Sequence, residues 1–381
     1  MMKTYTGIAL LLMSVAPVAA GGIERAPQSL SALFEDGNYV ELSFGAVDPE
    51  VSGTDQVGAD TGDVANGYGF VGLSYKRQFS ESLSGALIIE QPFGADITYA
   101  PFDLATLSGG SPVLGGTKVS VDSTTYTALL RYKMPNNLSF HGGLRGSYAS
   151  GNVTLNGGAY GPVAGYNVDL DGAWGLGYVV GAAYEIPEYA ARVSLTYHSK
   201  VDHDFDTVET GPAITTPFGD LPLLNAEGST TVSTPEAVNL EFQTGIAADT
   251  LLFGSIRWVN WSEFQVDPTA FTQVTGAGLV DLEDSTTYTI GVGRKFTENW
   301  SGSASFTFEP EGDDLVSPLA PTNGRKGITL AAIYTMDNLK ITTGVNYTKL
   351  GDATPETADT ARAQMEDNDL WGVGVRIGYS F

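Results

Sequence analysis

The sequence predicts an all-β fold, a transmembrane antiparallel β-barrel of about 14 strands preceded by a short amino-terminal plug segment. Three observations carry this expectation. Apolar and polar residues alternate with period two over segments long enough to cross a bilayer. Those segments are joined by connections that are alternately short and long, and no stretch beyond the first twenty residues is apolar for long enough to form a membrane helix.

In residues 1–20, Lys3 is a lone positive charge, Ile8 to Val15 is apolar, and Val18-Ala19-Ala20 precedes Gly21, the layout of a cleavable secretory signal. Residues 21–38 are then the plug and 39–381 the barrel, since no linker, charge block or composition shift marks another boundary. The formal net charge is −25, a balance that repels nucleic acid. With no cysteine, disulfides, thiolate metal sites and a cysteine nucleophile are all excluded. The 47 glycines and 18 tyrosines suit a barrel, which uses glycine where backbones crowd and aromatics where the wall meets the membrane interfaces.

Strands are expected at 39–47, 67–80, 82–91, 117–133, 137–155, 166–185, 190–205, 229–248, 250–265, 281–297, 299–309, 325–337, 338–350 and 369–381. In the fourth, Tyr126, Ala128, Leu130 and Tyr132 alternate with Thr125, Thr127, Leu129, Arg131 and Lys133. In the seventh, Val193, Leu195 and Tyr197 alternate with Arg192, Ser194, Thr196 and His198; in the eighth, Leu240 and Phe242 alternate with Asn239, Glu241 and Gln243. The last strand sets Trp371, Val373, Val375, Ile377, Tyr379 and Phe381 against Gly372, Gly374, Arg376, Gly378 and Ser380. The expected arrangement is apolar outside and small or polar inside. Ser80-Glu81, Pro135-Asn136-Asn137, Pro187-Glu188, Ala248-Asp249-Thr250, Thr297-Glu298-Asn299 and Asp337-Asn338 are short turns, whereas 48–66, 92–116, 206–228, 310–324 and 351–368 are long loops. That asymmetry places the short turns and both termini in the periplasm.

Three segments carry a family resemblance: Gln91-Pro92-Phe93-Gly94; Arg192 to Lys200; and Thr234-Pro235-Glu236, followed by a strand, a short turn and Arg257-Trp258-Val259-Asn260-Trp261-Ser262-Glu263-Phe264. Together with the strand count, the chain resembles the FadL/TodX family of outer-membrane transporters for long-chain fatty acids and other hydrophobic compounds. It departs at the front, where the family's longer hatch and its Asn-Pro-Ala motif are absent. The resemblance implies a bacterial outer-membrane protein for passive uptake, not an enzyme. Its expected partners are fatty acids or other hydrophobic small molecules, outer-membrane lipids and lipopolysaccharide, and the barrel-assembly machinery.

Candidate site residues follow. Pro92 cannot donate to a ladder and Gly94 packs no side chain, so Pro92, Phe93 and Gly94 should break the third strand; in the family such a kink is a lateral gate. Two outer loops are unusually apolar and form the candidate capture surface. One holds Phe93, Ile97, Tyr99, Phe102, Leu104, Leu107, Val113 and Leu114, and the other holds Ile214, Phe218, Leu221, Leu223 and Leu224. A carboxylate would need a cation, and alternation aims Lys76, Arg131, Arg145, Arg192 and Arg376 inward, with Arg131, Arg145 and Arg192 the leading candidates. Glu41, Glu90 and Glu241 face the same lumen, and pairing with these bases is the alternative. No cofactor is expected. His141 and His198 lack an accompanying nucleophile motif, and the formal G-x-G-x-x-G at 67–72 lies inside a strand, with no helix after it. Asp202, Asp204 and Asp206 pose calcium binding against a solvated strand end. The rival readings of the whole chain are a general diffusion porin for small polar solutes and a structural or adhesin barrel.

Overall fold

The computed structural model describes residues 23–217 and 219–381; the signal-like segment 1–20, the first two residues of the expected plug, and Phe218 lie outside the described residues. The fourteen wall strands, in chain order, begin with β1 (Tyr39–Glu50), β2 (Tyr68–Gln78), β3 (Leu83–Glu90, continued by Gly94–Thr98), β4 (Lys118–Lys133) and β5 (Leu138–Leu155). There follow β6 (Tyr166–Ile186), β7 (Ala191–His198, continued by Val201–Thr210), β8 (Ala226–Thr234, continued by Ala237–Ala247), β9 (Thr250–Val259) and β10 (Ser285–Lys295). The last are β11 (Trp300–Glu309), β12 (Arg325–Met336), β13 (Leu339–Leu350) and β14 (Asp369–Ser380). Each pairs antiparallel with its sequence neighbours, and β1 closes the barrel on β14 from Tyr39↔Ser380 to Glu50↔Asp369. Closure leaves no open edge in the hydrocarbon, where unpaired backbone groups are most costly.

The short turns gather at the end where β1 begins and β14 ends. Asn137, Asp249 and Asp337 there have φ of 66°, 55° and 51°, a left-handed conformation that Asn and Asp tolerate better than other side chains. Outward positions are apolar: Leu130, Leu144, Leu176, Val193, Leu195, Trp371 and Val373 are all exposed on the outer face. Near the loop end Trp174 packs against Tyr126 and Tyr148, with ring centroids 5.7 and 5.5 Å apart, an aromatic cluster of the kind that marks a membrane interface.

The alternation holds below three interruptions and reverses above them. In β3, Glu90 pairs with Thr125 and Gly94 with Asp122, so three residues oppose two and the extra one is a bulge. Inward residues are even-numbered before the bulge (Ser84, Ala86, Ile88) and odd-numbered after it (Phe93, Ala95, Ile97). The same change occurs across Ser199-Lys200 in β7 and Pro235-Glu236 in β8. These breaks correct the expectation of unbroken strands at 190–205 and 229–248. The strand expected at 250–265 ends at Val259, and the one expected at 281–297 starts at Ser285. Residues 94–98, expected in a loop, continue the wall. The uniformly small or polar interior is corrected too: the half nearer the short turns is polar apart from an apolar patch on β3, β4 and β6, and the half nearer the long loops is lined by apolar side chains.

Residues 23–38 run inside the barrel. A 3-10 turn at Ser31–Phe34 seats Leu30, Leu33 and Phe34 on Ala86, Ile88, Leu129, Val179 and Ala183 of β3 to β6. Lys340 holds Glu35 at 2.7 Å, and Ser29 donates to Glu241 at 2.8 Å.

Candidate substrate pocket and wall opening

The pocket lies in the loop-end half of the lumen. Phe93 and Ala95 from β3, Val119 and Val121 from β4, Ala149 and Val153 from β5, Leu170 from β6, Phe205 from β7 and Val232 from β8 line its walls. The loop between β9 and β10 folds over it, contributing Trp261, Phe264, Val266, Leu279 and Leu282, with Leu319 and Ala320 from the loop before β12. This cover is pinned in place. The buried Glu209 carboxylate accepts the N–H groups of Ala270 and Phe271, at 2.9 and 2.8 Å, in the first turn of α1 (Thr269–Thr275), and Tyr166 donates to the same carboxylate at 2.9 Å. Trp261 meets Phe93 and Phe264 edge-on, with centroids 5.8 and 5.9 Å apart. The Ser123 hydroxyl, facing the pocket, is already bonded to the Phe93 backbone, accepting from N–H at 3.1 Å and donating to the carbonyl at 2.6 Å. An apolar guest gains about 0.8 kcal/mol per buried methylene in such surroundings and meets little that would require hydrogen bonds in return.

Below Ala149 on the same face of β5 come Ser147, bonded to Thr125 at 3.2 Å, and then the buried Arg145. Arg145 makes no ion pair within 4 Å among the described residues, although Glu90 lies within its electrostatic reach. Arg131 is differently placed. It pairs with Glu185, donates to Ser139 at 3.1 Å, and stacks on the Phe34 ring at 4.5 Å; Arg192 stacks on that ring at 4.3 Å. Both brace the amino-terminal segment at the short-turn end. Of the other inward groups, Arg376 pairs with Glu41 at 3.3 Å, and Lys76 donates to backbone carbonyls, among them Gly37 at 3.0 Å. His141 shares a 3.0 Å hydrogen bond with Thr196, while both His198 ring nitrogens are buried without a hydrogen-bond partner among the described residues.

Arg257 pairs with Glu24, and both side chains are about one-twentieth exposed. Breaking such a buried pair strands a charge at a cost of about 3–5 kcal/mol. Arg257→Ala is therefore expected to loosen the segment, seen as increased ion conductance in planar bilayers and a lowered unfolding temperature. Unchanged conductance would mean that the pair does not hold the lumen closed.

The predicted loop residues divide. Phe93, Ile97, Tyr99, Val113, Leu114 and Leu224 are buried, and Ile214 packs against that core. Phe102 is half-buried, whereas Leu104 and Leu107 are 79% and 75% exposed on a hairpin tip, and Leu221 and Leu223 are also exposed. The tip is organised by Asp103, whose carboxyl is held below its ordinary range by hydrogen bonds from the Thr106 hydroxyl and the Ala105 N–H. Asp202, Asp204 and Asp206 point outward along β7 and do not converge; Asp202 and Asp204 accept from Ser233 and Thr231 at 2.5 and 2.6 Å. Among the described residues no group of acidic or histidine side chains forms a metal site. The residues missed from sequence are those of the cover, Trp261 to Leu282. The signal for them was available: Pro268 and the apolar run Trp261, Phe264, Val266 fit a strand poorly.

The wall itself has a discontinuity. The β2–β3 ladder stops at Leu73↔Ile89, and above it residues 68–72 of β2 pair with β1 only. The strands meet again at the Ala65↔Ile97 bridge. Between these limits the Gln91 side chain reaches across, accepting from the Val71 N–H at 3.1 Å, and nearer the bridge the Asn66 N–H donates to the Asp96 carbonyl at 2.9 Å and its side-chain amide to the Asp96 carboxylate at 2.8 Å. A cavity beside it is lined by residues 26–29 of the amino-terminal segment, by inward residues such as Ser74 and Glu90 and by outward ones such as Val71 and Leu73.

The same architecture occurs in solved proteins. A FadL homologue of Pseudomonas aeruginosa superposes with a TM-score of 0.73 at 16% identity, over 92% of each chain. The toluene transporter TbuX of Ralstonia pickettii gives 0.62 at 13% identity, over 92% of this chain and 91% of that one. The toluene transporter TodX of P. putida gives 0.62 at 15% identity, over 91% of each. Outer membrane protein P1 of Haemophilus influenzae is 24% identical over 224 residues, 55% of this chain and 48% of that protein, so the match spans about half the length of this relative. The profile of the family described as outer membrane protein transport protein (OMPP1/FadL/TodX) matches residues 8–381, nearly the whole sequence. The chain is therefore a member of the OMPP1/FadL/TodX family of outer-membrane transport proteins.

Proposed function

We propose that the chain takes up long-chain fatty acids or similar hydrophobic compounds passively, capturing them on the exposed Leu104, Leu107, Leu221 and Leu223 side chains of its outer loops. Cargo then occupies the apolar pocket and leaves sideways through the gap between β2 and β3. The observation that carries this reading is the pocket itself: a space lined mostly by apolar side chains, with Phe93, at the interruption of β3, in its wall. The toluene transporters TbuX and TodX, which share the fold, support a hydrophobic cargo. A general diffusion porin needs an open polar lumen, whereas here residues 23–35 occupy the lower lumen and are anchored on several strands.

Arg145 is the proposed carboxylate partner, because it lies beneath the pocket without an ion pair among the described residues. Arg145→Gln is expected to weaken binding of a long-chain fatty acid roughly tenfold, the scale of a lost charge-assisted hydrogen bond, with little effect on toluene. Equal affinity of wild type and variant for the fatty acid, read by isothermal calorimetry in detergent, would remove Arg145 from the site.

A further inference from the structure

The apolar pocket holds a few polar atoms, and they are not alike. The Ser123 hydroxyl is bonded to the Phe93 backbone, and the Thr234 hydroxyl donates to the Val201 carbonyl at 3.3 Å, so both are already engaged within the chain. Two other lining side chains differ. His203 Nε2 and Trp261 Nε1 are buried with no hydrogen-bond partner among the described residues, and the two residues are 1% and 0% exposed. The backbone carbonyls of Val201, Ser147 and Val232 lie near the His203 ring, yet none meets Nε2 in hydrogen-bond geometry. Both residues flank the break in β8. His203 pairs with Val232 on one side of it, and Trp261 follows Val259, which pairs with Ala237 on the other. Packing holds both rings: His203 stacks on Phe205 with centroids 5.8 Å apart, and Trp261 sits edge-on to Phe93 and Phe264.

Leaving a buried polar group unpaired is costly, and two of them in one apolar pocket call for a partner that arrives with the guest. The indole N–H only donates, whereas a neutral imidazole offers one N–H and one lone pair. A hydroxyl meets both demands, because its oxygen accepts and its hydrogen donates, whichever imidazole tautomer is present. An ether or a ketone only accepts, and a carboxylate brings a charge that neither ring neutralises. We infer that His203 and Trp261 are polar anchors of the pocket and that they select hydrophobic alcohols and phenols over hydrocarbons of the same shape. This rests on the reading of the pocket as the cargo site, and it gives hydroxylated cargo an anchor separate from Arg145, the proposed carboxylate partner.

The matched compounds para-hexylphenol and para-hexyltoluene differ only by a hydroxyl in place of a methyl group. Each is titrated against a bound fluorescent fatty acid in detergent, and comparing one compound across variants cancels its partition into micelles. His203→Leu is expected to weaken the phenol about tenfold and to leave the hydrocarbon unchanged or tighter. Trp261→Phe should weaken the phenol severalfold with the same selectivity. His203→Gln, which restores a donor and an acceptor, should keep most of the wild-type affinity, and Arg145→Gln should not change it. Heat-modifiable migration on gels confirms a folded barrel in each. Equal shifts for both compounds, or none for the phenol, would reduce the two rings to packing elements and overturn the anchors. If neither compound displaces the fluorescent fatty acid from the wild type, the pocket is not the cargo site and the anchors fall with it.

Discussion

Deleting Pro92 is expected to abolish uptake of hydrophobic cargo while leaving an assembled barrel. Three residues of β3 oppose two of β4, and removing one restores an unbroken ladder from Glu90↔Thr125 to Gly94↔Asp122. The facing of the strand survives, because Phe93 and Ala95 remain inward with Glu90 two places before Phe93. What changes is the opposite edge: residues 68–72 of β2 regain partners and the opening closes. Forcing a passage then means breaking backbone hydrogen bonds in hydrocarbon, at several kcal/mol per unsatisfied group, so uptake should fall by about a hundredfold or more. Uptake at the wild-type rate by a correctly folded deletion variant would show that cargo does not leave through this wall.

Placing charge in the pocket should be as damaging. Ala149→Glu would set a carboxylate among Val119, Val153 and Leu170, away from Arg145 by a full layer of side chains. A guest must then bury that charge or forgo the pocket, at a cost of several kcal/mol and an affinity loss of about a hundredfold or more. Ala149→Leu, which only fills space, should also reduce binding, whereas Ala149→Ser should be nearly neutral. Equilibrium binding of a fluorescent fatty acid in detergent distinguishes them. Equal affinity for the Glu and Ser variants would place the cargo elsewhere.

The barrel was legible because its wall obeys local rules. Period two in 369–381 and 125–133 reports which face meets lipid, and Asn137, Asp249 and Asp337 mark turns that need a left-handed residue. The pocket was harder to read because it depends on where that rule breaks. A single extra residue at Gln91–Phe93 turns Phe93, Ile97 and Tyr99 from apparent loop residues into lumen lining, and nothing in their local pattern announces the switch. Pairing of charges across the lumen is equally invisible in one dimension. Arg131, Arg145 and Arg192 look alike in sequence, yet Glu185 and the Phe34 ring occupy two of them and leave Arg145 below the pocket. The cover from Trp261 to Leu282 was harder to read because its apolar residues continue the composition of β9 and β10, while what fixes it over the lumen is distant in sequence: Glu209 of β7 at the start of α1, and the rings of Phe93 and Tyr166.

The account turns on where an oily molecule rests inside this wall, and photolabelling reads that directly. A fatty acid bearing a diazirine near its methyl end, irradiated with the purified chain in detergent and followed by peptide mass spectrometry, should mark Phe93, Val119, Leu170, Trp261 and Leu282. Labels confined to outward residues such as Leu130, Leu144 and Leu176, equal to those on a chain carrying Ala149→Glu, would show that the molecule dissolves in the surrounding belt and that the pocket carries nothing.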